Sequence, residues 1–301
     1  MIGKVVIGTR GSRLAVIQTQ MVADRISPIS GDVEIIIKKI STSGDKDKTS
    51  ILGQVEAVGF FVKELESALS ESEIDLAVHS LKDMPAIQPE GLTIAAVLER
   101  EDPRDVLVSK GKRLDELAAG DKVGTSSLRR QVQLKRMRPD LLPLPIRGNI
   151  DTRLAKLDRG EYSAVVMAAA ALLRLSWEER IVEFLPEEHF VPAGGQGAIA
   201  VEARQNDRDL LDLMAELNHL QTWQSVVAER AFLHNLGAGC HAPVGALAVV
   251  NGEKLTLKIM VASADGSEVV YDEVQGKAAQ AESIGVELAR KMKARGAPDF
   301  L

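Results

Sequence analysis

The sequence predicts an α/β protein with a smaller α+β region at its C-terminal end. Three observations carry that reading. Strand and helix patterns alternate from the start, as parallel βαβ units require. The alternation restarts after EREDPRD, around Pro103. Beyond about residue 220 it gives way to paired apolar runs separated by NG and DG, which are hairpin signals. A chain of 301 residues is near the practical limit of one core, so two or three domains are expected.

In the first lobe KVVIG reads as a strand and SRLAVIQTQMVADRI as an amphipathic helix. VEIIIKKI is a strand and STSGDKDKTS a polar loop. FFVKELESALSES is a helix, and IDLAVHS and LTIAAVLER are strands. In the second lobe DVLVS and KVGTS are strands, and SLRRQVQLKRM is a helix stopped by Pro139. LPLPIRGN, NIDTRLAKLDRG and SAVVMAAAALLRL continue the alternation. VPAGGQGA is a glycine-rich joint. IAVEAR and DRDLLDLMAELNH then return to the first lobe. SVVAERAFLHNL is a helix; VGALAVV, KLTLKIMVAS and EVVYDEV form a small antiparallel sheet; AAQAESIGVELARKMKARG closes the chain as a helix. The expected division is 1–98 with 199–217, 103–192, and 220–301, with hinges at 99–102 and 193–198.

Composition limits the function classes. With 45% hydrophobic and 27% charged residues, the chain falls among soluble globular proteins. A net charge of −6 argues against nucleic acid as the main partner. MIGKVVIGTR lacks the basic start and long apolar run of a signal peptide. AVVMAAAALLRL is too short for a membrane span and ends in Arg174. A cytoplasmic protein is expected. The single cysteine excludes an internal disulfide and a CxxC metal clip, and no metal site is expected.

The polar constellations point to an anionic ligand. Arg10 and Arg13 follow the first strand; Arg129 and Arg130 open the helix after TSS; Arg147 and Arg153 flank RGNIDTR; Arg174 ends an apolar segment. Most lie where α/β sheets place ligands, at strand carboxyl ends. The hydroxyls of TSS and the N–H groups of the next helix make an anion site, and arginine forks suit carboxylates or phosphates. For any one arginine a solvated surface position is an equal reading; for the set it is weaker. In AVHSLKDMP a strand delivers His79, Ser80, Lys82 and Asp83. An Asp83 carboxylate can stabilise a cation, while His79 reads as a structural histidine. GGQGA lacks the P-loop lysine and reads as a hinge. Cys240, in NLGAGCHAP, is either a free surface thiol or a nucleophile, since a thiolate needs little help against a reactive carbon.

GTRGSRLAV, FFVKELE, DLAVHSLKDMP, EREDPRD, VGTSSLRRQ, RGNIDTRLAKLDRGEY, PAGGQGA, ELNH and GAGCHAPVGA occur in order over nearly the whole chain. Together they resemble the porphobilinogen deaminase (hydroxymethylbilane synthase) family. The resemblance implies two α/β lobes of the periplasmic-binding-protein kind around a cleft, plus a small α+β C-terminal domain. It implies a transferase of haem and tetrapyrrole synthesis, cytoplasmic and monomeric, with porphobilinogen as substrate. Four units are joined head to tail, with loss of ammonia, on a dipyrromethane cofactor, and water releases hydroxymethylbilane. By the resemblance Cys240 carries the cofactor through a thioether and Asp83 is catalytic. Arg10, Ser12, Ser80, Lys82, Thr125, Ser126, Ser127, Arg129, Arg130, Arg147, Arg153, Arg174 and Gln196 hold cofactor and substrate. Residues 47–59 match the family's lid, but Gln54 and Val58 stand where lysines are common, and Glu56 and Ala57 replace a glycine pair. Two other readings remain open: a two-lobed anion-binding protein of the solute-binding kind, and a cysteine acyltransferase, which needs a base beside Cys240.

Overall fold

A computed structural model describes residues 3–31, 33–41, 62–239 and 242–297. The chain divides into two compact units, Met1–Arg100 with Ala198–Trp223, and Glu101–Gly197 with Gln224–Leu301.

The first unit is built on strands β1 (Lys4–Arg10), β2 (Glu34–Ile40), β3 (Leu76–Ser80), β4 (Leu92–Val97) and β10 (Ile199–Arg204), in the order β2-β1-β3-β10-β4. Helix α1 (Arg13–Ile26) starts where Ser12 caps the Ala15 N–H at 3.3 Å. Its buried Gln18, Thr19, Val22, Ala23 and Ile26 fall on one helical stripe. That stripe and α6 (Arg208–Ala215) cover one sheet face through Val5, Ile7, Val78, Val201 and Leu210. Helix α2 (Lys63–Ser70) covers the other through Leu65, Ala68 and Leu69 packed with Ala77 and Leu92.

The first sheet of the second unit has the order β7-β6-β8-β5-β9, with β5 (Asp105–Ser109), β6 (Lys122–Gly124), β7 (Leu142–Leu144), β8 (Ala164–Ala168) and β9 (Glu183–Phe184). Helices α3 (Leu128–Met137), α4 (Ile150–Asp158) and α5 (Ala169–Arg174) pack with it. The expectation of mostly parallel sheets holds with one exception in each. β10 runs antiparallel to β3 and β4, and β5 antiparallel to β8 and β9. Both are the strands that directly follow a passage of the chain between units.

Helix α7 (Leu220–Leu236) leads into the antiparallel sheet β11 (Val244–Asn251), β12 (Lys254–Ala262) and β13 (Val269–Lys277), which α8 (Ala281–Ala294) closes. Both hairpin turns carry the expected glycines at positive φ, Gly252 at 60° and Gly266 at 75°. Leu247, Met260 and Ala262 share a buried apolar cluster with Val132 of α3 and with Val191, so the C-terminal sheet belongs to one compact unit with the second α/β sheet.

Candidate functional site

In the first unit the expected residues Arg10, Ser12, Ser80 and Asp83 line one recess of about 70 Å³. Arg10 ends β1, Ser12 caps α1, Ser80 ends β3, and Asp83 closes a single 3-10 turn, Leu81–Asp83, in which Lys82 is half-buried. The recess has the volume of a few water molecules. It can receive a carboxylate group. The first turn of α1 holds no acidic residue, so its N–H groups and Arg10 favour an anion there. Two further wall residues escaped the sequence reading as ligand groups. Gln18 accepts a 3.0 Å hydrogen bond from Ser80 and is 3% exposed. His79 also lines the recess. The available signal for Gln18 was a polar residue within the apolar stripe of a helix.

The second unit holds the other expected group. Arg129 and Arg130 are almost wholly buried, and both reach Asp105, which is fully buried. Arg129 Nη1 lies 2.7 Å from Asp105 Oδ2 and 2.6 Å from the Val191 carbonyl. Arg130 Nη2 lies 2.6 Å from Asp105 Oδ1, and its Nε donates to the same oxygen at 3.0 Å. Gln196, 0% exposed, donates to Asp105 Oδ1 at 3.0 Å and to the Pro103 carbonyl at 2.7 Å. Burial alone would push the Asp105 carboxyl up, but the two guanidiniums outweigh it and hold the group well below the usual carboxylate range. Burial pulls the Arg129 guanidinium down, and Asp105 opposes that shift. Two cations on one anion leave the cluster one net positive charge. Sequence reasoning missed Asp105 because an aspartate opening a strand is ordinarily solvated.

Ser127 caps α3, accepting from the Arg130 N–H at 3.4 Å, and the first turn of α3 has no acidic residue. Ser126 exchanges hydrogen bonds with Ile146, donating to its carbonyl at 2.8 Å and accepting from its N–H at 3.1 Å. Thr125 is buried and accepts from the Ser127 N–H at 3.3 Å. Arg147 is half-buried before Gly148, whose φ of 105° suits glycine, and a Cβ there would meet Thr152 at 2.5 Å. Arg153 Nε donates to the Gly148 carbonyl at 2.9 Å, and Arg174 Nη2 to the Gly197 carbonyl at 2.6 Å.

Cys240, His241 and the expected lid 47–59 lie outside the described residues. Among the described residues no cluster of His, Cys, Asp and Glu could hold a metal ion, and no helix is long and apolar enough to cross a membrane.

Comparison with known proteins yields two family-model matches. Residues 5–212 match the porphobilinogen deaminase, dipyromethane cofactor binding domain, and residues 223–294 match the porphobilinogen deaminase, C-terminal domain. A porphobilinogen deaminase of Lysinibacillus sphaericus is 47% identical over 300 residues, covering 99% of this chain and 96% of the relative. One of Nitrosomonas europaea is 45% identical over 299 residues, covering 99% and 97%. Among solved structures, the methionine binding protein MetQ covers 74% of this chain and 91% of its own, at 13% identity and a TM-score of 0.46.

Proposed function

This chain belongs to the porphobilinogen deaminase family, and from that premise we propose how its residues share the work. It is a transferase of tetrapyrrole synthesis with a dipyrromethane cofactor and porphobilinogen as substrate. The anion-binding reading without catalysis is not favoured. In our reading four porphobilinogen units are joined head to tail, ammonia is lost at each addition, and hydrolysis releases hydroxymethylbilane. The protein works as a cytoplasmic monomer in three domains, and Cys240 holds the cofactor.

The residues present fit a polycarboxylate. The α3 N-terminus has hydroxyls, the N–H groups of a helix start and no acid, and it stands on a cluster with one net positive charge. When bound, dipyrromethane supplies the pyrrole end that accepts the first unit. Thr125, Ser126, Ser127, Arg129, Arg130, Arg147, Arg153, Arg174 and Gln196 hold its carboxylates and those of the added pyrroles. Arg129 and Arg130 act mainly through their field, since Asp105 occupies much of their hydrogen-bonding capacity. Arg10, Ser12, Ser80 and Lys82 hold a substrate carboxylate.

One observation carries the catalytic assignment: Asp83 shares a recess with Arg10 and the capped start of α1. A carboxylate anchored there places the pyrrole beside Asp83. Loss of ammonia from porphobilinogen leaves a methylene-pyrrole cation, and a fixed carboxylate stabilises that charge as it develops. Asp83→Asn keeps the size and removes the charge. We expect cofactor to remain attached, as read by intact mass, while hydroxymethylbilane formation falls by roughly 10²–10³ or more, the scale of a single preorganised electrostatic group. Near-normal turnover would remove Asp83 from the mechanism.

A further inference from the structure

Behind the recess wall lies a set of titratable groups that this chemistry does not use. In the β3–β10 pairing Ala77 faces Glu202 and His79 faces Ala200. Strand alternation therefore puts His79 and Glu202 on one face of the sheet, the face that α2 covers. His79 is 6% exposed, Glu202 0%, and Glu66 of α2 9%. His79 Nε2 stands 3.1 Å from Glu202 Oε2. Glu202 Oε1 and Glu66 Oε1 are buried with no hydrogen-bond partner among the described residues. The β10–β4 register also shifts between Val201 and Glu202, and such irregularities re-aim side chains beside active sites.

A purely structural pair accounts poorly for this. Desolvating three titratable groups costs more than packing apolar ones, and two of the carboxylate oxygens lack donors. Burial pushes the Glu66 carboxyl up, the Glu202 charge adds to that, and His79 and Lys63 oppose it. An ionised carboxylate only accepts, so His79 carries a hydrogen on Nε2 toward Glu202. Any contact of the ring with a group in the recess then goes through Nδ1. A carboxylate behind a histidine fixes its tautomer and ring orientation.

We propose that Nδ1 of His79 takes the proton released at each pyrrole addition, with Glu202 as its positioning partner; the role rests on the transferase reading above. The bonds balance as follows. The C–N bond of the protonated aminomethyl group breaks, and the electron pair leaves with nitrogen as ammonia. The α-carbon of the accepting pyrrole gives a pair to the cationic methylene carbon, forming the C–C bond. Its α C–H bond then breaks, the pair restores the ring, and the proton passes to Nδ1. Ammonia or water carries it away, and His79 is neutral again. Asp83 remains ionised throughout. The charged groups around the imidazole are Glu202 from β10 and, from α2, Glu66 and beyond it Lys63; Arg10 and Asp83 line the same recess, and β4, LTIAAV, brings no charge.

The test is single addition to holoenzyme, followed by rapid quench and intact mass from about pH 5 to 9, the range in which histidine changes charge. The wild-type rate should rise with pH as His79 loses its proton. Glu202→Gln should keep the cofactor and slow addition with the Michaelis constant unchanged, and Glu202→Asp should recover part of the rate, a pattern that a merely structural pair would not give. His79→Gln should keep the cofactor, lose the rising limb and slow addition at least about 10²-fold. A His79→Gln holoenzyme that adds substrate within about twofold of the parent, limb intact, overturns the proposal. Should that variant fail to fold, ¹⁵N-histidine spectra of the wild-type holoenzyme decide. His79 must show a protonated Nε2 and an Nδ1 that titrates with the kinetic limb; one unchanging charge state overturns the idea. Asp83→Asn, run alongside, should lower the plateau while the limb persists. Normal turnover there, with the His79 limb present, would sink the Asp83 reading alone.

Discussion

Asp105 shows at the scale of one residue how a site can be built out of sight. Its carboxylate is fully buried, yet two guanidiniums and the Gln196 amide satisfy it. Removing its charge leaves two buried cations without an anion, so Asp105→Asn should destabilise the protein by about 3–5 kcal/mol, read by denaturant unfolding. The pH dependence has a definite sign. A folded-state pKa below the unfolded value of 3.8 means the unfolded chain binds more protons at low pH, so stability falls with acidity. The Asp105 contribution is complete above the ordinary carboxylate range and is lost only as pH drops from there toward the depressed folded value. The parent should show that acid loss and Asp105→Asn should not; equal acid sensitivity would mean the pairing contributes nothing. SSLRR singled out Arg129 and Arg130 as candidates for holding an anion. That they share a buried aspartate from 24 and 25 residues upstream was not legible, because no local pattern records a long-range ion pair.

At the scale of elements, periodicity recovered most of the framework. β1, α1, β3 and the C-terminal hairpins fall where apolar spacing and turn residues put them. The antiparallel sense of β5 and β10 was not legible: DVLVS and IAVEAR are short, largely buried runs that would suit either direction in a sheet covered on both faces. Nor did SIGVELAR disclose why α8 contains Gly285. Helix propensity alone favours Gly285→Ala by about 1 kcal/mol. The fold reverses that. A Cβ at 285 would meet the Ala228 carbonyl at 2.3 Å and the Ala231 Cβ at 2.9 Å, both on α7. Backbone at that distance cannot rotate away, so α8 would have to move off α7 and open the cluster of Ala228, Phe232, Leu288 and Met292. We expect Gly285→Ala to destabilise by about 1–3 kcal/mol, as overpacked cores do, with a lower thermal midpoint. A raised midpoint would show that the two helices have slack between them.

At the scale of the whole molecule, the proposed function needs one covalent attachment in a protein whose net charge is −6. The family motifs were legible because they are long and run in order along the chain. The packing of the C-terminal sheet with the second lobe was not, since Val132, Val191 and Met260 join it only in three dimensions. The chain on either side of Cys240 is anchored without it. Leu236 and Val244 belong to the buried core, and the Pro243 carbonyl accepts from the Ala262 N–H at 3.1 Å. Cys240→Ser should therefore fold, with native far-UV circular dichroism and the mass of the bare chain. The parent should weigh more by two substrate pyrroles. Stability should differ too. A bound group that contacts only the folded state stabilises it, and a polycarboxylate would also offset the positive charge of the arginines proposed to hold it. Cys240→Ser should unfold at a lower temperature than the holoprotein, and turnover should be absent. Active parent protein with the bare-chain mass, or a Cys240→Ser variant that still carries the two pyrroles, would refute the thioether. A variant that matches the holoprotein's midpoint would show that the cofactor is attached but not gripped, and the arginine assignments would fall with it.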